Sequence, residues 1–284
     1  MMPTGGMAFE QDWGTYCTTG FEKYKTTCAV RIVKIYDMPI GKIRIGISNG
    51  HMPGNKLTFP MEYRLKSRLH YYSRLFNTIE VNSCFYKTPL RSTYEKWVND
   101  VPDDFQFTLK LSRDITHAKE LGADLTCMDN FLQAAAGTGN KKGCLLVQFP
   151  GKISLDHFNQ VELILRQLWS HDTAKEWRIA IEFRNESWYI GETTELLNEY
   201  RAAMVLHDFS KAKISVITGK ADFCYIRFHG PTGNYRDSYS NHALDEKAQL
   251  IREFVIPGKD VYAYFNNTAG NAFVNARYLQ SKFM

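Results

Sequence analysis

Charged and amide side chains recur at one kind of place in this sequence, the last few residues of short apolar runs. "NTIEVNS" (77–83) carries Glu80 and Asn82, "FQFTLK" (105–110) ends on Lys110, and "GCLLVQF" (143–149) holds Gln148. "WRIAIEF" (177–183) brings Glu182 and leads into Arg184, while "AAMVLHD" (202–208) closes on His207 and Asp208. "FCYIRFHG" (223–230) carries Arg227 and His229, and "DVYAYFNN" (260–267) ends on Asn266 and Asn267. Two glutamates, a lysine and two histidines brought to one place supply what general acid/base catalysis needs. The arginines suit a carboxylate, a phosphate or a developing oxyanion, which a guanidinium can grip with two N–H groups. Burial raises a glutamate's pKa and adjacent cations lower it, so the sequence leaves open whether Glu182 gives or takes a proton.

What would gather these ends is a barrel. With "KIRIGIS" (42–48) there are eight β-rich runs, and helical patterns at 61–75, 91–99, 128–136, 155–169, 191–201, 242–255 and about 270–282 alternate with them. Only the connection between the sixth and seventh runs is too short for a helix. No GxGxxG or P-loop follows any run, which removes the usual nucleotide landmark of an open doubly wound sheet. The expectation is an α/β fold, a single-domain (β/α)8 TIM-type barrel over 41–284, preceded by an N-terminal extension over 1–40.

Successive strand residues face opposite ways. Ile179, Ile181 and Phe183 therefore share one face, and Ala180, Glu182 and Arg184 the other. An apolar face finds its partners in the helix ring, which sends the polar set into the barrel and toward its C-terminal mouth. A substrate pocket is one expectation for that mouth. A structural ion network closing the barrel top is the other.

Composition bounds the function classes. The 284 residues are 44% hydrophobic and 23% charged, with a formal net charge of +5, a mild basic excess unlike the concentrated footprint of a dedicated DNA binder. The six cysteines are scattered without CxxC or tight Cys/His spacing, which favours reduced thiols over a zinc site or disulfide framework. No leader-like or membrane-length apolar window occurs, so a cytoplasmic protein is expected.

Taken together and in this order, "FNTIEVNSCFYKTP", "FQFTLKLSRDITH", "CLLVQFPGK", "IAIEFRNESW", "VLHD", "YIRFHG" and "YFNN" resemble the DUF72, or YecE-like, family over roughly 42–284. The resemblance implies a TIM barrel and no established reaction. Its recurring polar positions fall on Glu80, Asn82, Tyr86, Lys110, His117, Gln148, Glu182, Arg184, His207, Asp208, Arg227, His229, Gly230, Asn266 and Asn267. The sequence departs from the pattern in the first loop, "ISNGHMPGNKLTFP", and at Cys84, where Ser or Thr is frequent.

The leading expectation is a hydrolase, lyase or isomerase acting on a small anionic or polyol substrate. Glu182 would act as acid or base, Lys110 and Arg227 would stabilise charge, and His207 or His229 would move a proton. Glu80, Asn82, Tyr86, Gln148, Arg184, Asp208, Arg227, Asn266 and Asn267 would bind substrate. No cofactor is implied, but a divalent metal held among Glu80, Glu182, His207, Asp208 and His229 is an alternative, opposed by the cationic neighbours. A non-catalytic binding protein is another; Lys141, Lys142, the "YKTP" loop and "NYRDSYS" could track phosphates and stack bases, or be solvated loop residues. The stretch 229–246 reads equally as a lid or as a long connection, with Ser240 or Asn241 capping the next helix.

Overall fold

A computed structural model describes residues 40–284 apart from 123, 125 and 210–218. The extension expected over 1–40 lies almost wholly outside the described residues, as does most of the short connection between the sixth and seventh runs. Within them the chain alternates strand and helix. The strands are β1 (Ile43–Ile47), β2 (Thr78–Val81), β3 (Gln106–Lys110), β4 (Lys142–Gln148), β5 (Arg178–Glu182), β6 (Ala203–Met204), β7 (Leu206–His207), β8 (Phe223–Phe228) and β9 (Asp260–Phe265).

All the pairings are parallel, in the orders β1-β9-β8-β7 and β2-β3-β4-β5-β6. A Ser48–Glu80 bridge joins β1 to β2. On the other side, β6 and β7 are one run interrupted at Val205, whose N–H donates to the Ile181 carbonyl at 2.8 Å. The two sheets thus close into the expected eight-run barrel. At Gly46 a Cβ would sit 2.4 Å from the Thr78 carbonyl oxygen, so only glycine lets β1 come this close to β2.

Strand parity sorts the core into two parts. Ile179, Ile181 and Phe183 belong to the large core between wall and helices, whereas Cys144, Leu146, Ala180, Ala203, Val205, Tyr225, Tyr262 and Tyr264 fill the barrel. Helix α6 (Phe158–Ser170) contributes Val161, Ile164, Leu165 and Leu168 to the outer core at helical spacing. Helix α8 (Asn241–Val255) does the same with Leu244, Ala248, Ile251 and Val255, and Ser240 caps it by accepting the Ala243 N–H. Inside the barrel the side chains lie in layers. Arg178 donates to Asp260 at 2.7 Å and to the Tyr262 hydroxyl at 2.9 Å near the N-terminal end. Above them the Tyr264 hydroxyl meets Thr78 and Thr108, each at 2.7 Å.

Two expectations are corrected here. The helix expected over 61–75 is broken into a 3-10 turn (Met61–Tyr63) and α1 (Arg68–Tyr72). Ser67 restarts it, its hydroxyl accepting the His70 N–H at 2.8 Å, a local bond that competes with a continuous helix. Lys141, read from sequence as a phosphate-tracking or solvated loop residue, is neither. It is 5% exposed, and its ammonium donates to the Val98 and Val101 carbonyls at 2.9 and 2.7 Å, at the C-terminal end of α3 (Arg91–Val98). Lys142 pairs with Glu176 at 2.8 Å, at the start of β4 and away from the mouth. Lys141→Ala is therefore expected to lower unfolding stability by about 1–2 kcal/mol, the worth of a charged cap on a helix C-terminus. Urea melts check this; an unchanged midpoint would contradict it.

Candidate functional site

Beyond the end of β1 and near the C-terminal ends of β2, β5 and β8, five polar side chains form a closed set. Arg227 presents its Nε and Nη2 to Glu80 at 3.0 and 2.8 Å, a two-point grip, and its Nη1 to Glu182 at 2.5 Å. Ser48 and Tyr225 each donate to Glu80 at 2.6 Å. All of these side chains are buried. Burial alone would raise both glutamates, but Arg227 outweighs it and holds Glu80 below and Glu182 well below the usual carboxylate range. With a guanidinium N–H on each oxygen, Glu182 is held as an ionised acceptor.

A second layer lies above. Arg184 donates through Nε to Glu182 at 2.7 Å and through Nη1 to the Tyr235 hydroxyl, with Nη2 3.4 Å from His229 Nε2. Its guanidinium lies over Phe209, 4.6 Å from the ring centre. A guanidinium has five N–H groups and only donates, so His229 Nε2 must be the acceptor and its proton sits on Nδ1. That Nδ1 lacks a hydrogen-bond partner and lies 3.8 Å from Asp208, while the His229 main-chain N–H donates to Asp208 at 2.7 Å. Burial pushes His229 below the ordinary histidine value, so the ring is neutral near pH 7.

His207 is differently placed. Its Nδ1 accepts the Phe209 N–H at 3.2 Å, which puts the proton on Nε2, 3.1 Å from the Phe183 carbonyl and 3.0 Å from the Tyr189 hydroxyl. Both ring nitrogens are occupied, and burial lowers its pKa as well. Asp208 accepts from Tyr239 at 2.5 Å and from Lys247 at 3.3 Å, and is held below the ordinary aspartate value despite its burial.

Lys110 stands apart from both sets. Its ammonium has one hydrogen-bond acceptor, Gln148 Oε1 at 2.8 Å, and lies 3.9 Å from the centre of the Phe85 ring. Among the described residues no carboxylate comes within 4.0 Å of it, in contrast to Arg184 and Arg227. Burial and the charge of Arg227 lower its pKa to about 8 against the pull of Glu182 and Glu80. Next to it, His117 packs edge-on to Phe85 and is lowered to about 4 by burial and by Lys110, Arg113, Lys152 and Arg184.

The remaining expected residues divide. Asn82 and Asn266 are half-buried at their strand ends, and the Asn82 main-chain N–H donates to Asn49 Oδ1 at 3.0 Å. Asn267 is buried; its amide nitrogen donates to the Asp237 carbonyl in the loop after β8 and to Asn275 Oδ1, while its Oδ1 has no hydrogen-bond partner among the described residues. Tyr86 is 69% exposed and borders a separate cavity of about 520 Å³ between the barrel wall and α1, lined also by Leu69, Ile79, Val81 and Trp97. Glu80, Glu182, His207, Asp208 and His229 do not converge as metal ligands, because Arg227, Ser48 and Tyr225 fill the oxygens of Glu80; among the described residues no group of three metal-ligand side chains occurs. Cys84, buried and pushed up to about 12 by that burial, donates its thiol to the Val81 and Lys110 carbonyls and has no nucleophile's environment.

Within the stretch 229–246, residues 241–246 open α8 and those before them form a connection held by hydrogen bonds. Tyr239 donates to Asp208 and its hydroxyl accepts the Gly230 N–H at 2.6 Å, and a Cβ on Gly230 would lie 2.2 Å from the Arg236 carbonyl oxygen. The same loop delivers Tyr235 to Arg184 from a positive φ of 70°. Parity of strand ends could not find Tyr235, nor Phe85, Tyr189 and Phe209, because each comes from a segment beyond its strand. Ser48 was accessible to that rule, two residues past Gly46 on the inward face of β1.

A parallel barrel with a charged foundation and a polar, cation-rich mouth is the class of protein these features define. The family model described as "Protein of unknown function DUF72" matches residues 44–284, and the chain belongs to that family. It is 24% identical over 242 residues to the UPF0759 protein YunF of Bacillus subtilis (strain 168), covering 75% of this chain and 84% of that relative. Crystal structures of DUF72 family proteins share the fold. One from Enterococcus faecalis V583 has a TM-score of 0.70 at 21% identity, covering 86% of this chain and 98% of that one. Another, from Thermotoga maritima MSB8, has a TM-score of 0.68 at 23% identity, covering 85% and 99%. No helix among the described residues is long and apolar enough to cross a membrane.

Proposed function

We propose that the barrel mouth is the active site of an enzyme that performs acid/base chemistry on a small polar substrate bearing a carboxylate or phosphate. The observation that carries this reading is the Lys110 ammonium, partly buried, held by one amide oxygen and a ring face, with no carboxylate among the described residues within 4.0 Å of it. A lysine placed for stability alone would be paired, since an unpaired charge loses hydration on burial. Arg184 retains N–H groups on both Nη1 and Nη2 beyond its three contacts, a fork suited to an incoming anion. His229 would shuttle a proton through Nε2, the nitrogen facing Arg184, with Asp208 steadying its Nδ1–H side. Glu182 would serve as the fixed anion that orients Arg184, and Gln148 would orient Lys110. His207 would shape the wall, its nitrogens being spent.

Small anions should therefore stabilise the folded protein by binding it selectively. Inorganic phosphate and a series of small carboxylates, titrated while thermal unfolding is followed, are expected to raise the midpoint in the wild type and to do so far less in Arg184→Gln. Identical responses of wild type and variant to every anion would sink the reading.

A further inference from the structure

We propose that Lys110 is the nucleophile of this site, condensing with a small carbonyl compound that carries an anionic group to form an imine on its Nζ. The inference rests on the mouth being a small-anion site and adds what the lysine does there. Two duties are open to a lysine at such a place, charge and nucleophilicity, and the geometry separates them. Charge can be supplied by Arg184, which cannot lose its proton and keeps unused donors. Lys110 sits instead where burial and the Arg227 charge disfavour an ammonium, and the contacts that favour one are a ring face and an amide oxygen rather than a carboxylate.

The groups acting on it are Arg227 from β8, Glu182 at the end of β5 with Arg184 just beyond, and Glu80 from β2, with His117 beside it across Phe85. Both glutamates are already committed to arginine, so they hold the ammonium weakly, and the amine is released at about pH 8. Desolvation and a cationic neighbour are the two devices that make a lysine an imine former near neutrality. Gln148 Oε1, 2.8 Å away, can accept one N–H of the free amine and so fix the direction of its lone pair.

The ammonium gives one proton to solvent, and the amine nitrogen then bonds to the carbonyl carbon while the carbonyl oxygen takes up a proton. The resulting carbinolamine loses that oxygen, with a further proton, as water. What remains is a protonated imine, so ammonium plus carbonyl becomes iminium plus water with charge conserved and no redox partner. An iminium draws electrons from the adjacent carbon, which makes lyase or isomerase chemistry the natural outcome, and His229 is the neutral base at hand.

The test uses the full-length protein with pyruvate or dihydroxyacetone phosphate as probe and cyanoborohydride to reduce any imine, followed by peptide mass mapping. Lys110 is expected to label well ahead of exposed lysines such as Lys56 and Lys87, with a rate that climbs around pH 8, whereas ordinary lysines climb near about 10.4. Lys110→Arg should abolish that adduct, and the faster probe reports whether carboxylate or phosphate is preferred. Labelling of Lys110 no faster than Lys56 overturns the proposal, and because this comparison is made within the wild type it does not depend on the variant folding. If phosphate still stabilises the protein through Arg184 while Lys110 stays unlabelled, the imine falls and the anion site stands; absence of both effects removes both.

Discussion

Arg227→Met is expected to unfold with roughly 3–5 kcal/mol less free energy than the wild type, because it strands two buried carboxylates at once. Glu80 would keep only Ser48 and Tyr225 as donors, and Glu182 only Arg184. The wild-type pairing is also what acid must break. Both glutamates have folded pKa values below their unfolded ones, so their contribution is present above about pH 4.3 and is lost as pH falls through the folded values. In the variant the stranded carboxylates protonate more readily, and its deficit should therefore narrow as pH falls through the carboxylate range. Chemical denaturation followed by near-ultraviolet circular dichroism at several pH values reads both effects. A deficit below about 1 kcal/mol at neutral pH would show that the triad is not fully desolvated.

Lys110→Met is expected to do the reverse, raising stability by about 2–3 kcal/mol at neutral pH at about 1.4 kcal/mol per pKa unit, after allowance for partial exposure. Folding lowers this lysine from its ordinary 10.5 to about 8. The unfolded chain therefore binds more protons between those values, and wild-type stability rises with pH there. The advantage of the variant should accordingly be full below pH 8 and fade as pH climbs toward 10.5. Functional groups held in unfavourable surroundings give this signature when removed. Loss of stability on the same substitution would mean that Lys110 is paired in solution and would take the nucleophile proposal with it.

Much of the architecture was legible because the strands obey a simple parity. Ile179, Ile181 and Phe183 had to seek the helix ring, so Glu182 had to point inward, and the same rule placed Glu80, Lys110 and Arg227 correctly. Parity says which face a side chain takes, not which partner it meets. It could not say that one arginine would bridge both glutamates while Lys110 was left with an amide, since that depends on strand stagger and on charges far apart in sequence. The two histidines show the same limit: alike as residue types, they differ because the Phe209 N–H occupies His207 and Arg184 faces His229. Lys141 misled because charge was read without the helix end it caps.

Equilibrium unfolding of Arg227→Met and Lys110→Met beside the wild type at neutral pH tests most directly whether a saturated structural layer supports an unsaturated functional one. Opposite signs are predicted, a loss of roughly 3–5 kcal/mol for the first and a gain of about 2–3 kcal/mol for the second. Equal losses would mean that Lys110 belongs to the same structural network as Arg227, and that the barrel mouth has no claim to be a site.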